Sequence, residues 1–548
     1  ALVALVQTDA TSSEAWAMLA QVSMTLGKFS QGMFAAWQAN SLQASTAMQS
    51  CFAHCLCQVA ITAHDAQLQS ALTRAMAETW GAPAALAEQA GKLLKLDPQI
   101  QALLKAYPNR PLTASDLLGL NDHALLLALL QSAPVCDLVL ESLFSALRKT
   151  LVLDLTLAAK LPKLCSSLAQ QCFINEYIYP VSDAETAALN NLDHNEPLLI
   201  LACYQPLHAY AAADIWAQQR WPEPLQAVIQ QQIIEPRAEA VLAAAMPAFT
   251  AVNDQVSQAV QAMYEESPYP RWVSTPKASA PQGLNEFLTQ TYPLSHVQRL
   301  TSDNPLQVLI AGGGTGQHPV HTAQRFSGAQ VQVIDLSRRS LAYAQRKSED
   351  LGLNNLKFAQ ADILQIDQLD QHFDLIESVG VLHHMGNPWA GWEALLTRLK
   401  PHGLMKLGFY SQTARQHINA LRAFIKNQGF GDAPDDIRLC RQQLIQHSQE
   451  QHLDDIFLLR DFYSTSACRD LLFHVQEHQM TLPEIGSFLT HHGLRFIGFE
   501  TDDATRRSYQ QAFPDDPAAT NLANWHQFEQ RHPQTFISMY QFWVQQTS

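Results

Sequence analysis

The chain has 548 residues, of which 47% are hydrophobic and only 16% charged, so it can bury large cores and is not a disordered polymer. Its 35 Lys and Arg face 50 Asp and Glu, a net charge of −15, and no Lys/Arg run builds the basic patch a nucleic-acid backbone needs; nucleic acid is not an expected partner. No apolar stretch reaches the ~18 residues of a membrane span, since Pro247 and Thr250 interrupt the longest, Ala240 to Val252. The start, ALVALVQTDA, lacks the positive n-region of a secretory signal and has no initiator Met. Nine scattered cysteines suit a reducing compartment, and the expectation is a cytoplasmic protein without membrane insertion.

Residues 1–252 read as helix after helix, with apolar residues at three- and four-residue steps and little strand-type alternation. Within 1–98, Trp16, Leu19 and Ala20, then Gly32, Ala36 and Ala39, fall at the packing positions of tetratricopeptide-like repeats. An ordinary helical bundle is the competing reading, because the usual Tyr and most terminal Pro positions are missing. Cys51, His54, Cys55 and Cys57 read as small core residues of an Ala-rich helix, and no metal is expected there. Residues 99–252 form a helical middle domain. Residues 253–300 form a linker or lid around Met263-Tyr264-Glu265-Glu266-Ser267-Pro268-Tyr269-Pro270-Arg271-Trp272, where two prolines stiffen the backbone.

From Gln307 the texture changes to short β-branched runs alternating with helical stretches: QVLIAGGGTG, VQVIDLS, LKFAQADIL, FDLIESVGVL and LMKLGFYS. Such alternation predicts a parallel sheet covered on both faces over 301–411. A helical insertion over 412–480 follows, expected to form part of a substrate site. Residues 481–548 close the chain with two strand-like runs, Leu494 to Glu500 and Phe536 to Val544, which would add an antiparallel edge.

The chemistry concentrates at strand ends. The run from Val308 enters Gly312, Gly313, Gly314, Thr315 and Gly316 before a helix begins, a turn in which glycine lets a ligand approach the main chain. Gln317 occupies the sixth position, where a dinucleotide fingerprint needs glycine. Asp335 ends the second strand, placed to accept ribose hydroxyls, and Asp362 follows the third, placed to accept from an adenine amine.

Together AGGGTGQH, VIDLS, ADIL and VLHHMGNP resemble a class I S-adenosylmethionine-dependent methyltransferase. The resemblance implies a Rossmann-like seven-stranded sheet, mostly parallel with an antiparallel edge strand, preceded by an all-α tetratricopeptide-like region. It implies S-adenosylmethionine as cofactor, held by Gly312 to Gly316, His318, Asp335, Leu336, Asp362, Ile363, Glu377 and Val379. Tyr269 and Arg271 of the proline-rich block would cover it. That block, with Cys172-Phe173-Ile174-Asn175-Glu176-Tyr177 and Asp470-Leu471-Leu472-Phe473-His474-Val475-Gln476-Glu477-His478, is similar to bacterial methyltransferases that modify lysines of outer-membrane proteins.

The acceptor-side candidates are Tyr264, Glu265, Tyr410, His474, Glu477 and His478. His474-Val475-Gln476-Glu477-His478 also spells the inverted zinc-protease motif, which on a helix would put both histidines on one face; packing or a substrate-facing wall outranks a metal. The favoured reading is a protein lysine methyltransferase whose helical half recruits the protein substrate, with homo-oligomerisation open. The alternatives are a small-molecule or lipid methyltransferase and a cofactor-binding scaffold without turnover.

Overall fold

Strands whose residues are apolar at every position must be covered on both faces, and helices with one apolar stripe can cover them. The chain from Gln307 onward folds on that rule. The structure is a computed structural model that describes residues 2–192, 197–276, 281–301, 305–451 and 454–547. Two compact units divide the chain: Ala1–Arg237 with Arg271–Ser279 and Gly431–Cys468, and Ala238–Pro270 with Ala280–Phe430 and Arg469–Ser548.

The first unit is helical. Its early helices span Ser13–Thr25, Phe29–Leu42, Thr46–Cys57, Ala66–Ala77 and Pro83–Leu94. Side chains of Ser12, Ser45 and Asp65 accept hydrogen bonds from the first turns that follow them, each worth about 1 kcal/mol. Small residues let the first helices approach closely. Ala20, Ala35 and Ala36 are fully buried, and a Cβ at Gly32 would stand 2.9 Å from Cys55 Sγ. Cys51 and Cys55 are buried in this packing. The tetratricopeptide assignment itself rests on the sequence pattern.

This unit is assembled from distant segments. On the helix Pro434–Gln451, Arg441 meets Glu141 of the helix Leu138–Leu153 through two 2.6 Å hydrogen bonds, with both side chains buried. The segment 412–480, expected as one helical insertion, is therefore divided: Gly431–Cys468 belongs with the N-terminal helices, and its flanks belong with the sheet. Likewise 253–300 is not one linker, since its described residues 271–276 group with the first unit; residues 277–280 lie outside the described residues.

In the second unit we name α1 (Gln255–Glu266), β1 (Gln307–Ala311), α2 (Gln317–Arg325), β2 (Gln330–Asp335), α3 (Arg338–Asp350), β3 (Leu356–Gln360), β4 (Phe373–Val379), α4 (Pro388–Leu396), β5 (Leu399–Phe409), β6 (Leu494–Phe499) and β7 (Tyr540–Gln546). The strands form one seven-stranded sheet in the order β3-β2-β1-β4-β5-β7-β6. β1 to β5 pair in parallel, and β7 runs antiparallel between β5 and β6. Successive residues of β1 serve opposite cores: Val308 and Ile310 pack with Val331, Val333 and Trp543, and Leu309 and Ala311 with Ile334, Ile376 and Trp392. Trp392 of α4 is fully buried and stacks on Phe488 at 4.2 Å. Among the described residues no helix is long and apolar enough to cross a membrane.

The strand order places β1 between β2 and β4, so the chain leaves β1 in one direction and returns on its other side. A crevice opens at such a reversal, at the carboxyl ends of the strands.

Arg441→Ala should destabilise the helical unit by about 3–5 kcal/mol, because it leaves Glu141 buried without its counter-charge. Denaturant unfolding followed by helix signal measures this. A loss under 1 kcal/mol would show that the pair does not join the two segments.

Candidate active site

The crevice is a cavity of about 300 Å³ lined wholly by residues of the sheet unit. Its floor is the turn after β1. Gly312, Gly314 and Gly316 all have positive φ, at 85°, 50° and 91°. At Gly312 a side chain would also collide with Val381, whose Cγ2 lies 2.2 Å from the Cβ position, so glycine is required there by conformation and by space. The N–H groups of Gly312 and Gly313 both donate to Ile334 O. The Gly314 N–H donates to Asp335 Oδ2 at 2.8 Å, and Ser337 N–H donates to Oδ1 at 2.9 Å. Thr315 Oγ1 donates to Pro270 O, bringing Tyr269 and Pro270 over the turn.

Two carboxyls face this cavity from neighbouring strand ends. Asp335 ends β2. Asp362, just after β3, is 1% exposed. Its Oδ1 accepts from Leu364 N–H, and its own N–H donates to Thr250 Oγ1. Its Oδ2 has no partner in hydrogen-bonding geometry. Burial raises the pKa of both carboxyls above 3.8, opposed by the N–H groups of Ser337 and Gly314 at Asp335 and of Leu364 at Asp362. A buried acceptor oxygen without a close partner, on a residue that lines the cavity beside Ser257, is satisfied by a donor from a ligand, because leaving it unpaired costs about 1–3 kcal/mol. An adenine amine at Asp362 and ribose hydroxyls at Asp335 answer that need, so the residues present fit an adenosine-bearing cofactor.

Most of the expected cofactor residues line this cavity: Gly312 to Gly316, His318, Asp335, Leu336, Asp362, Ile363, Val379 and Tyr269. Two do not. Glu377 is buried beneath the wall, where its carboxylate accepts from His318 Nε2 at 2.6 Å and Thr322 Oγ1 at 2.7 Å. Burial pushes its pKa up, but His318, Lys406 and Thr322 outweigh it and hold the group at about 2. Glu377 thus acts on the cavity through His318. Arg271 belongs to the helical unit, where its Nε donates to Glu176 at 2.9 Å and its guanidinium lies over the Phe173 ring.

The acceptor-side candidates separate similarly. Tyr264 and Tyr410 line the cavity. His474 reaches Tyr264 Oη with Nε2 at 3.3 Å. Glu265 instead accepts from Arg338 N–H at 2.5 Å, capping the first turn of α3. Glu477 accepts from Arg415 at 2.5 Å and Arg422 at 2.8 Å; burial raises its pKa, and the two guanidinium groups more than reverse this. His478 accepts from the Gln476 side chain. The helix Thr465–Phe473 ends before His474, so the stretch 474–478 is not helical and does not present His474 and His478 together as a zinc motif requires.

The sequence reading missed His384 and Asp470, both in the cavity wall. A signal existed for Asp470, four residues before His474 at the end of a helical pattern. Asp470 Oδ1 accepts from Tyr264 O–H at 2.5 Å. His384 stacks on His474 with centroids 3.7 Å apart. One ligand-type atom each from His384, Asp470 and His474 lies within 4.8 Å of the others.

Residues 308–403 match a family described as Methyltransferase domain. An uncharacterised protein of Synechococcus sp. is 28% identical over 265 residues, covering 46% of this chain and 63% of that protein. The tRNA 5-carboxymethoxyuridine methyltransferase of Escherichia coli K12 is 33% identical over 108 residues, 19% of this chain and 41% of that protein. The chain thus spans less than two thirds of each of these relatives. The solved structure of PKMT2 from Rickettsia typhi aligns over 47% of this chain and 51% of its own, at 15% identity and a TM-score of 0.39.

Residues 308–403 are a methyltransferase domain, and the sheet, glycine turn and paired carboxyls around them have the arrangement of a class I S-adenosylmethionine-dependent methyltransferase fold. This domain lies within the sheet unit, and its cofactor is S-adenosylmethionine.

Asp362→Ala should weaken S-adenosylmethionine binding by roughly 10–100-fold with a stability loss of no more than about 1 kcal/mol, since it removes an unpaired buried acceptor oxygen along with the cap on Leu364 N–H. Asp335→Ala should cost both, because it frees the turn. Calorimetry with thermal unfolding separates the two; equal stability losses would contradict these roles. Since burial raises both carboxyl pKa values, affinity should also fall on acidification with a midpoint above 3.8.

Burial also holds His384 neutral, with its pKa lowered to about 4. A depressed histidine adds stability that is complete above its ordinary 6.5 and is lost as pH falls towards 4. Unfolding measured between pH 6.5 and 4 should show this decline, and His384→Gln should flatten it.

Proposed function

We propose that the protein is an N-methyltransferase whose acceptor is the side-chain amine of a protein lysine, with the helical unit recruiting the protein substrate. The observation that carries this reading is the charge character of the cavity wall. Asp470 and the aromatic rings of Tyr264, Tyr410 and His384 line it, and among the described residues that line it none is Lys or Arg. Such a wall offers hydrogen-bond acceptors and ring faces, which suit a cationic or N–H-bearing group. A carboxylate or phosphate acceptor would meet Asp470 with no cation to offset the repulsion.

S-adenosylmethionine supplies an electrophilic methyl group on sulfur. The chain's own residues position the acceptor: Asp470 attracts an ammonium, and the rings exclude water and lower the pKa of the amine they surround. An extended partner segment suits helical arrays, which present long surfaces. Removing residues 1–237 would be a poor test of that role, because Arg441 on the remaining Gly431–Cys468 segment would lose Glu141.

Incubating the full chain with labelled S-adenosylmethionine and a lysate of the native host should place label in protein, on lysine nitrogen. Label on a carboxylate, in nucleic acid or in lipid would overturn the reading. Asp470→Asn should lower transfer roughly tenfold or more while leaving cofactor affinity within about threefold.

A further inference from the structure

The backbone of one residue, Gln476, sets the protonation pattern of two histidines at the acceptor wall. The backbone N–H of Gln476 donates to His474 Nδ1 at 3.0 Å, and the Gln476 carbonyl stands 2.8 Å from His384 Nδ1. A carbonyl can only accept, so His384 carries its hydrogen on Nδ1 and its Nε2 is bare. A backbone N–H can only donate, so His474 Nδ1 is bare and its hydrogen is on Nε2. The two stacked imidazoles therefore hold opposite tautomers. From His474 the polarity continues outward: Nε2–H points to Tyr264 Oη, whose own O–H donates to Asp470.

This pattern argues against a metal at His384, Asp470 and His474, although their ligand-type atoms lie close together. His474 Nε2 carries a hydrogen in this network, and stacked rings 19° from parallel direct their in-plane lone pairs side by side, not toward one point. The arrangement has a different use. Of the two stacked rings only His384 offers a bare imidazole nitrogen on a residue that lines the cavity, and a ring nitrogen of His384 lies within 4.8 Å of an Asp470 carboxylate oxygen. His318 also lines the cavity, but its Nε2 is held by Glu377.

We propose that His384 is the catalytic base of the acceptor site, its Nε2 receiving the proton that the acceptor nitrogen must lose, with Gln476 and His474 as positioning residues. The proposal rests on the amine-acceptor reading above. An ammonium enters and gives its proton to His384 Nε2. The freed nitrogen lone pair then forms the new carbon–nitrogen bond as the sulfur–carbon bond breaks, its electron pair staying on sulfur. The product leaves as a methylated ammonium, and the imidazolium proton passes to solvent. The first step moves a positive charge within the site without creating one, so burial penalises both sides of it alike, and Asp470 offsets the charge in either position.

The groups facing His384 agree with a neutral resting state. His383 lies beside it on the same loop, His474 and Glu477 on the stretch after the helix Thr465–Phe473, and Asp470 on that helix. Tyr264 reaches the same cluster from α1, and Tyr410 lies edge-on after β5. Arg415 and Arg422 oppose protonation, but both are paired with Glu477. Burial is the largest influence and lowers the pKa of His384 to about 4 and of His474 to about 3.

Two readouts test this. In the full chain labelled with 15N-histidine, and assigned with His384→Gln and His474→Gln, His384 should carry its hydrogen on Nδ1 and His474 on Nε2 at pH 7.5. A hydrogen on His384 Nε2 at that pH overturns the proposal, and this measurement on the unaltered protein stands even if a variant fails to fold. Label transfer by His384→Gln should fall roughly 100-fold or more at pH 7.5 and recover to within about tenfold at pH 9.5, where more of an amine of pKa near 10.4 is already free. Cofactor binding should stay within about threefold. An equal loss at both pH values, or a parallel loss of cofactor binding, assigns His384 a structural role instead. Label on a nitrogen other than lysine retires the lysine reading and keeps this one. Label on a carboxylate oxygen retires both, because such an acceptor brings no proton to remove.

Discussion

Asp335 holds two backbone N–H groups at once, Gly314 through one oxygen and Ser337 through the other. The first bond fixes the turn after β1 and the second fixes the start of α3, so one carboxylate ties together the ends of neighbouring strands. With those ends tied, the positive-φ glycines keep their conformation and Asp362 on the next strand faces the same space. Without that tie, the floor of the cavity and one wall would move independently. The cofactor side therefore depends on a local, short-range constraint, which is why a few residues in sequence carry so much of it.

The acceptor side is built on a different principle. Its groups come from α1, from the loop after β4, from the residue after β5 and from the stretch following Phe473, far apart in the chain. Two of them, His384 and His474, are set by the Gln476 backbone, whose N–H and C=O give the adjacent imidazoles opposite hydrogen positions. A backbone peptide does this whatever side chain stands at 476, so the device leaves no mark in residue identity.

That contrast explains which parts of the site were legible. The glycine turn, Asp335 and Asp362 each follow a strand signal directly, and the sheet topology then brings strand ends together. The alternation over 301–411 and the two late strands were equally readable, because a doubly covered strand needs an apolar residue at nearly every position. Glu377 and Arg271 look from sequence like groups that could face a cofactor. Whether a strand-end carboxylate faces a ligand or a neighbouring histidine depends on side-chain direction, and Arg271 is taken by Glu176, which lies in a separate motif. Domain boundaries failed to follow the chain for a related reason. The Glu141–Arg441 pair joins residues three hundred positions apart, and no linear change in composition marks such a link.

Glu477 sets the charge behind the wall. Arg415 stacks on the Tyr410 ring at 3.7 Å and Arg422 lies nearby, so two guanidinium groups stand close behind the acceptor end. Left unpaired, they would make that end attractive to anions and repel an ammonium. Glu477 accepts from both, and its buried carboxylate stays ionised because they surround it. Their fields are thereby largely cancelled at short range. At that end of the cavity wall stands the Asp470 carboxylate, which is held by a Tyr264 hydroxyl that adds no charge of its own. A residue that looked from sequence like a reacting acid thus serves the site by removing positive charge from behind it, and the balance left at the wall favours a cation.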